Sequence, residues 1–302
     1  MSDILDNSAI SKVLGQRVSA PARYDKSILV REPRQSNRTY LGIRDNSLPF
    51  VGKDLWNNWE ISALTTNGMP ITGIAQIVYD CNSKYIVESK SAKLYFNSFN
   101  MTQLGDSSAE VIKNIEEYAS KDLSKLLESP VSVKIFSASA HNLRDSDLKD
   151  YTKYITLEEQ EGVDEIKFNT YSENPGLLVI NKSNTTQEQY FRSTLLRSNC
   201  RVTNQPDHGD VYIYLKSKNK ITPKSLIQYI VSFRNECHFH EEICEAIYKR
   251  IFDLCEPQEL RVSCYYVRRG SLDINPVRAT HEYLLEDYLL DTNIRFCKTP
   301  RQ

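Results

Sequence analysis

No apolar run in this chain approaches the roughly 20 residues that a membrane-crossing helix requires. The first residues, MSDILDNSAISKVLGQ, also lack a basic start followed by an apolar core. These absences argue against a membrane segment and an export signal, and the expected setting is cytoplasmic. Basic residues are not in excess either: 38 Lys and Arg face 39 Asp and Glu, for a formal charge of −1. A general nucleic-acid binder would carry a basic surplus, so direct binding to nucleic acid is not expected. There is no strand-linked G-x-G-x-x-G, which removes support for a Rossmann dinucleotide site. The seven cysteines are odd in number and scattered, which reads as reduced thiols and not as a disulfide framework. Cys237-His238-x-His240-x-x-x-Cys244 invites zinc, but no second paired-cysteine element completes it. Cys244 also falls on the apolar side of its helix with Tyr248 and Cys255, so no metal is expected.

The remainder is an ordinary globular composition, 40% hydrophobic and 25% charged over 302 residues, long enough for two domains of common size. Residues 1 to about 50 are polar and irregular, with Arg31, Arg34, Arg38 and Arg44 read as a solvated face of a surface arm. Strand alternation then begins at Trp59 to Leu64, turns at Asn67-Gly68, and resumes from Ile71 to Val78. The capping box Ser107-x-x-Glu110 opens a helix with Val111, Ile115, Ala119 and Leu126 on its apolar stripe. Pro130 ends it, and Val131, Val133 and Ile135 alternate as a strand. Residues 137 to about 174 form an acidic connector (Asp145, Asp147, Asp150, Glu158, Glu159, Glu161), with one short strand expected at Leu177 to Ile180. Strands then approach Cys200 and follow at Val211 to Leu215. Thr222-Pro223 starts one helix, Glu241 lies near the start of another, and Leu260 to Tyr266 alternates as a last strand. Both halves read strand, strand, helical section, strand, a faint internal repeat that places one domain at residues 1–150 and another at 151–302.

Chemistry is concentrated in Ser198-Asn199-Cys200-Arg201-Val202-Thr203-Asn204-Gln205-Pro206-Asp207. A thiol with a pKa of about 8.5 is mostly protonated at neutral pH and needs help to act as a nucleophile. Asp207 could take that proton and return it to a substrate atom if burial raised its own affinity. The same residues are good turn chemistry, and spacing leaves both readings open. At Phe239-His240-Glu241-Glu242 the carboxylates suit a helix N-terminus through the dipole, or a His-Glu pair could hold a heterocycle. Glu88-Ser89-Lys90-Ser91-Ala92-Lys93 is too charged for a strand interior and has no cap logic of its own. Its lysines could receive phosphate, or the segment is a solvated turn. Arg268-Arg269-Gly270, read as a loop running on through Ser271-Leu272-Asp273-Ile274-Asn275-Pro276-Val277-Arg278, also suits a phosphate through the guanidinium fork.

Together these segments resemble the NADPH-dependent 7-cyano-7-deazaguanine reductases of the queuosine pathway, in their long two-module form. The resemblance rests on Glu88-Ser89-Lys90-Ser91, Leu94-Tyr95-x-Asn97-Ser98-Phe99-Asn100, Ser198-Asn199-Cys200, Val202 to Asp207, Ser232-Phe233-Arg234, Phe239-His240-Glu241, Arg268-Arg269-Gly270 and Leu272 to Arg278. Asn37-Arg38 and Leu55-Trp56-Asn57 match as well, so nearly the whole chain is covered. The resemblance implies an α+β fold of tandem tunnelling-fold modules, antiparallel sheets with helices on one face, closed into a barrel with a second subunit as a homodimer. It implies reduction of the nitrile of 7-cyano-7-deazaguanine to a primary amine through a covalent thioimide on Cys200. Asp207 would be the proton shuttle, with His240 assisting. Val87, Glu88, Ser89, His240 and Glu241 would hold the substrate, and Ser89, Lys90, Arg269 and Gly270 would bind NADPH. Two positions depart from the family pattern: Arg201 stands where a small or apolar residue is usual, and His208 where tryptophan is usual. The competing readings are another tunnelling-fold enzyme of cyclohydrolase type, a cysteine hydrolase acting through Cys200, His240 and Asp207, and a binding module without catalysis.

Overall fold

The computed structural model describes residues 23–44, 46–137, 153–201 and 204–285. Asp145, Asp147 and Asp150 of the acidic connector, and Val202 and Thr203 of the Cys200 segment, lie outside them. The chain is a mixed α+β structure that clusters into two compact units, each assembled from separated segments. The first takes residues 1–39, 54–142 and 268–273, and the second takes 40–53, 143–267 and 274–302. Among the described residues, no helix is long and apolar enough to cross a membrane.

In the first unit, β1 (Arg31–Pro33) pairs antiparallel with β4 (Tyr85–Val87), and α1 (Gln35–Tyr40) follows β1. The larger sheet runs β5 (Val131–Ser137), β3 (Pro70–Asp80), β2 (Val51–Leu64), and β3 pairs antiparallel with β5 from Gly73↔Ser137 to Tyr79↔Val131. Gly68, at φ 85, makes the turn before β3, as Asn67-Gly68 predicts. Helix α3 (Ser108–Leu127) begins where the capping box places it, with the Ser107 hydroxyl accepting from the Glu110 N–H. The reciprocal arm reaches Asp106 N instead of Ser107 N. The buried stripe is Val111, Ile115, Ala119, Leu123 and Leu127, while Leu126 is only half-buried. Glu128 in the left-handed conformation, not Pro130, closes the helix.

One segment contradicts the sequence reading. Ser89–Asn97 is a helix, α2, and Glu88 is its N-cap, accepting from Lys90 N at 2.9 Å and Ser91 N at 2.7 Å. Glutamate is not among the usual capping residues, but here its longer arm folds back onto the two N–H groups that a shorter side chain would reach.

The sheet of the second unit runs β10 (Leu272–Ala279), β9 (Glu259–Tyr266), β8 (Pro206–Ile221), β7 (Ile180–Asn199), β6 (Ile155–Thr156). The short strand expected at Leu177 to Ile180 is instead a 3-10 turn at Pro175–Leu177 leading into the 20-residue β7. Helices α4 (Pro223–Ser232) and α5 (His240–Cys255) pack their apolar stripes inward, with Leu226, Ile230, Phe233, Ile243, Ile247 and Ile251 all buried. Leu254 is half-buried and Cys255 takes the last core position. The loop expected through Arg278 is also corrected, because Leu272–Ala279 is a strand with every residue buried. Its pairing with β9 is recorded from Val277 onward, one residue after Pro276, which has no N–H to offer a ladder.

Candidate active site

The turn that carries Cys200 is the tip of the β7–β8 hairpin. The last paired residues are Ser198↔Asp207 and Asn199↔Pro206, so Cys200 stands one residue past the ladder and Asp207 one residue inside it. Proline at the first position of β8 loses no ladder bond. The tip is closed by Cys200 N–H donating to the Gln205 carbonyl at 2.9 Å and by Asn204 N–H donating to the Cys200 carbonyl at 3.0 Å. Asn204 has φ 54, a conformation asparagine tolerates better than most residues. The residues do make the turn that their types allow, and within it Cys200 is half-buried while Asp207 is 3% exposed.

The end of β7 is also tied to the segment that leads into α5. Asn199 N–H donates to the Glu236 carbonyl at 2.7 Å, and His238 N–H donates to the Asn199 carbonyl at 3.2 Å. These bonds set the Cys200 turn against the N-terminus of α5. His240, its first residue, places Nε2 3.4 Å from Asp207 Oδ2. The imidazole lies flat on Tyr266 of β9, with ring centroids 3.8 Å apart at 4°. His240 is buried, and among the described residues its Nδ1 has no hydrogen-bond partner. Tyr266 is a neutral platform: burial pushes its phenol well above 10.0, and Cys264, Cys244, Asp207 and Glu241 add to the push. Glu241 is 2% exposed. Glu242 bends back so that Oε2 accepts from Phe239 N–H at 2.9 Å, closing the helix end.

The remaining predicted site residues lie in the first unit. Val87 ends β4 and is buried, and Glu88 N–H donates to the Val30 carbonyl at 2.8 Å. The Glu88 carboxylate is 3% exposed and occupied by the α2 cap, yet each oxygen keeps a second lone pair for another donor. Ser89 and Lys90 are the first residues of α2 and half-buried. Arg269 N–H donates to the Leu272 carbonyl at 3.0 Å in a turn whose Gly270 has φ 63. A cleft of about 540 Å³ is lined by Gly270 and Ser271 with Trp59, Glu60, Lys93 and Asn97. Ser89, Lys90 and Arg269 do not line it. A side chain on Gly270 would point at Lys93, with its Cβ 3.9 Å from Nζ.

Tyr266 and Trp59 went unread as site residues, since each sits in an alternating strand pattern that explains it as core. Among the described residues, no group of three or more His, Cys, Asp or Glu is placed to hold a metal ion.

A family model described as nitrile reductase, 7-cyano-7-deazaguanine-reductase N-term, matches residues 20–135, and one described as QueF-like protein matches residues 206–283. The chain is 37% identical over 285 residues to the NADPH-dependent 7-cyano-7-deazaguanine reductase of Colwellia psychrerythraea, covering 93% of this chain and 96% of that one. The protein of the same name from Legionella pneumophila is 38% identical over 93% of each chain. That of Dechloromonas aromatica is 39% identical over 91% of this chain and 92% of its own.

Proposed function

The chain belongs to the 7-cyano-7-deazaguanine reductase family of nitrile reductases, and from that premise we propose that it reduces 7-cyano-7-deazaguanine to 7-aminomethyl-7-deazaguanine for queuosine biosynthesis. The observation that carries the reading within this chain is the buried Asp207–His240 pair at the foot of the Cys200 turn. Cys200 adds as thiolate to the nitrile carbon, and Asp207 passes the thiol proton to the nitrile nitrogen, leaving a covalent thioimide. Once hydride has been added at the thioimide carbon, C–S cleavage restores the thiolate and releases the imine, which His240 helps enclose and protonate. Glu88 and Glu241 accept from the amino and ring N–H groups of the deazaguanine, supported by Val87 and Ser89.

The residues fit an anionic dinucleotide. Lys90 and Lys93 stand one turn apart on α2, and Gly270 leaves the rim of the Lys93 cleft without a side chain. Ser89, Lys90, Arg269 and Gly270 would hold NADPH, which when bound supplies hydride, two equivalents for each nitrile. Residues 1–150 and 151–302 are taken as two tunnelling-fold modules of a cytoplasmic enzyme that pairs with a second copy to close a barrel and does not bind nucleic acid directly.

The test is NADPH oxidation with the nitrile as substrate. The expected result is two NADPH consumed per amine, and a slow absorbance band from the adduct when NADPH is withheld. Cys200→Ala should abolish both. Ammonia released without NADPH oxidation would instead favour a hydrolase, and full turnover by Cys200→Ala would end the reading.

A further inference from the structure

Position 201 breaks the family pattern next to the proposed nucleophile, and its side chain is engaged. One Arg201 guanidinium nitrogen donates to Glu242 Oε2 at 2.7 Å, a carboxylate that is almost fully buried. The guanidinium also lies over the Phe239 ring, 5.1 Å from its centroid. The same Glu242 oxygen closes the α5 cap on Phe239 N–H and stands 3.4 Å from His238 Nδ1. His238 Nε2 in turn lies 3.2 Å from Glu236 Oε2, whose other carboxylate oxygen accepts from Glu173 N–H at 2.9 Å. The residue that follows Cys200 is thereby joined to the two residues that flank His240 and Glu241. An apolar side chain at 201 could supply packing but neither the ion pair nor the fork geometry.

A hairpin tip is ordinarily the loosest part of a strand pair. The bonds between Cys200, Asn204 and Gln205 close this tip on itself, the backbone bonds of Asn199 tie its base to Glu236 and His238 ahead of α5, and Cys237 Sγ donates to Asn204 Oδ1 at 3.4 Å. We propose that Arg201 is a positioning residue: its pairing with Glu242 clamps the Cys200 turn to the first turn of α5 and fixes the thiol relative to His240 and Glu241. The proposal rests on the reductase reading for its catalytic consequence, although the clamp itself does not depend on it. Small misplacements of a nucleophile are costly, on the order of a hundredfold in rate for about 1 Å.

Two measurements on Arg201→Met, Glu242→Gln and the double variant test the clamp. The first is the rate of adduct formation with 7-cyano-7-deazaguanine without NADPH, across pH. Arg201→Met should lower the plateau about tenfold or more without moving the midpoint, with KM changed less than about twofold. Glu242→Gln also touches the Phe239 cap and His238, so the test is coupling: it should slow adduct formation less in the Arg201→Met background than in the wild type. The second is hydrogen exchange of the Cys200 and Asn204 amides. It should quicken about tenfold in Arg201→Met while amides in the middle of α5 keep their protection. Unchanged exchange overturns the clamp, whatever the enzyme's activity. A shifted midpoint with an intact plateau overturns it in favour of a charge effect on the thiol. If the wild type forms no adduct and consumes no NADPH, the reductase reading fails, and the exchange experiment still decides the clamp.

Discussion

Raising the pH should weaken this protein through His238. Burial, taken alone, would pull its imidazole below the ordinary 6.5, but hydrogen bonds to Glu236 and Glu242, with the Glu242 charge, outweigh burial and the repulsion of Arg201 and lift it to about 9. A folded-state value above the unfolded one means the native protein holds the proton more tightly. The resulting stabilisation is fully present below 6.5, declines as pH rises, and is gone above about 9. At about 1.36 kcal/mol per pH unit, a shift of this size has a ceiling of about 3 kcal/mol. The side chain is 22% exposed, so screening by water and salt brings a working value down to about 2 kcal/mol. Urea unfolding of the wild type and His238→Gln at about pH 6, 7.5 and 9.5 isolates this contribution, because the variant carries the packing loss at every pH. The stability difference between the two should shrink by about 2 kcal/mol across that window. Glu236 does not interfere: its hydrogen bond with His238 holds its carboxyl below the ordinary 4.5, so it titrates beneath the range. Tyr190 does not interfere either, since burial first and Glu188 second push its phenol up to about 12. Parallel curves for the two proteins would show that His238 is not an imidazolium in the folded state, and the electrostatic account of the cluster would be wrong.

Two other changes separate catalysis from stability. Asp207→Asn keeps the shape of the side chain but removes the proposed proton carrier, and steady-state NADPH oxidation should fall by about 10²- to 10⁴-fold. A loss smaller than about tenfold would put the shuttle elsewhere. In the core of the second unit, Arg278 donates to Glu245 at 2.9 Å and 3.2 Å, with both side chains essentially sealed from water. Arg278→Met alone should cost about 3–5 kcal/mol by urea unfolding, because it removes the cation paired with a buried carboxylate, and adding Glu245→Leu should recover part of that.

The parts legible in the sequence are those whose side chains sort by hydropathy. Val131, Val133 and Ile135, or Leu260, Val262 and Cys264, alternate because one sheet face is core, and the Ser107 cap announces α3. The parts that escaped are those where polar atoms are satisfied by something distant in sequence. β10 buries Asp273 and Arg278, which hydropathy reads as exposed. Asp273 accepts from Asn57 at 2.8 Å and from the Trp59 indole, and Arg278 finds Glu245. β7 is mostly polar and shows no apolar rhythm for most of its length. α2 escaped because a glutamate does the work of a shorter capping residue. At the site, the residue types were legible but their placement was not. Nothing in the spacing of Cys200 and Asp207 says that Ser198 is the partner of Asp207, or that Tyr266 lies beneath His240.

That placement explains why these residues suit one another. The proposed nucleophile must meet its substrate, and Cys200 is at a hairpin tip, half-buried and past the last ladder pair. The proposed proton carrier works best out of bulk water, and Asp207 is one position inside the ladder and almost sealed. In its proposed role His240 needs a fixed orientation, which stacking on Tyr266 and the start of a 16-residue helix provide. Strand and helix are stiff by construction, so Asp207 and His240 are held by the elements that carry them. Cys200 sits in a turn, where backbone bonds to Gln205 and Asn204 do part of that work. The clamp proposed above adds to them, because Arg201, beside the thiol, reaches Glu242 on the same helix that carries His240.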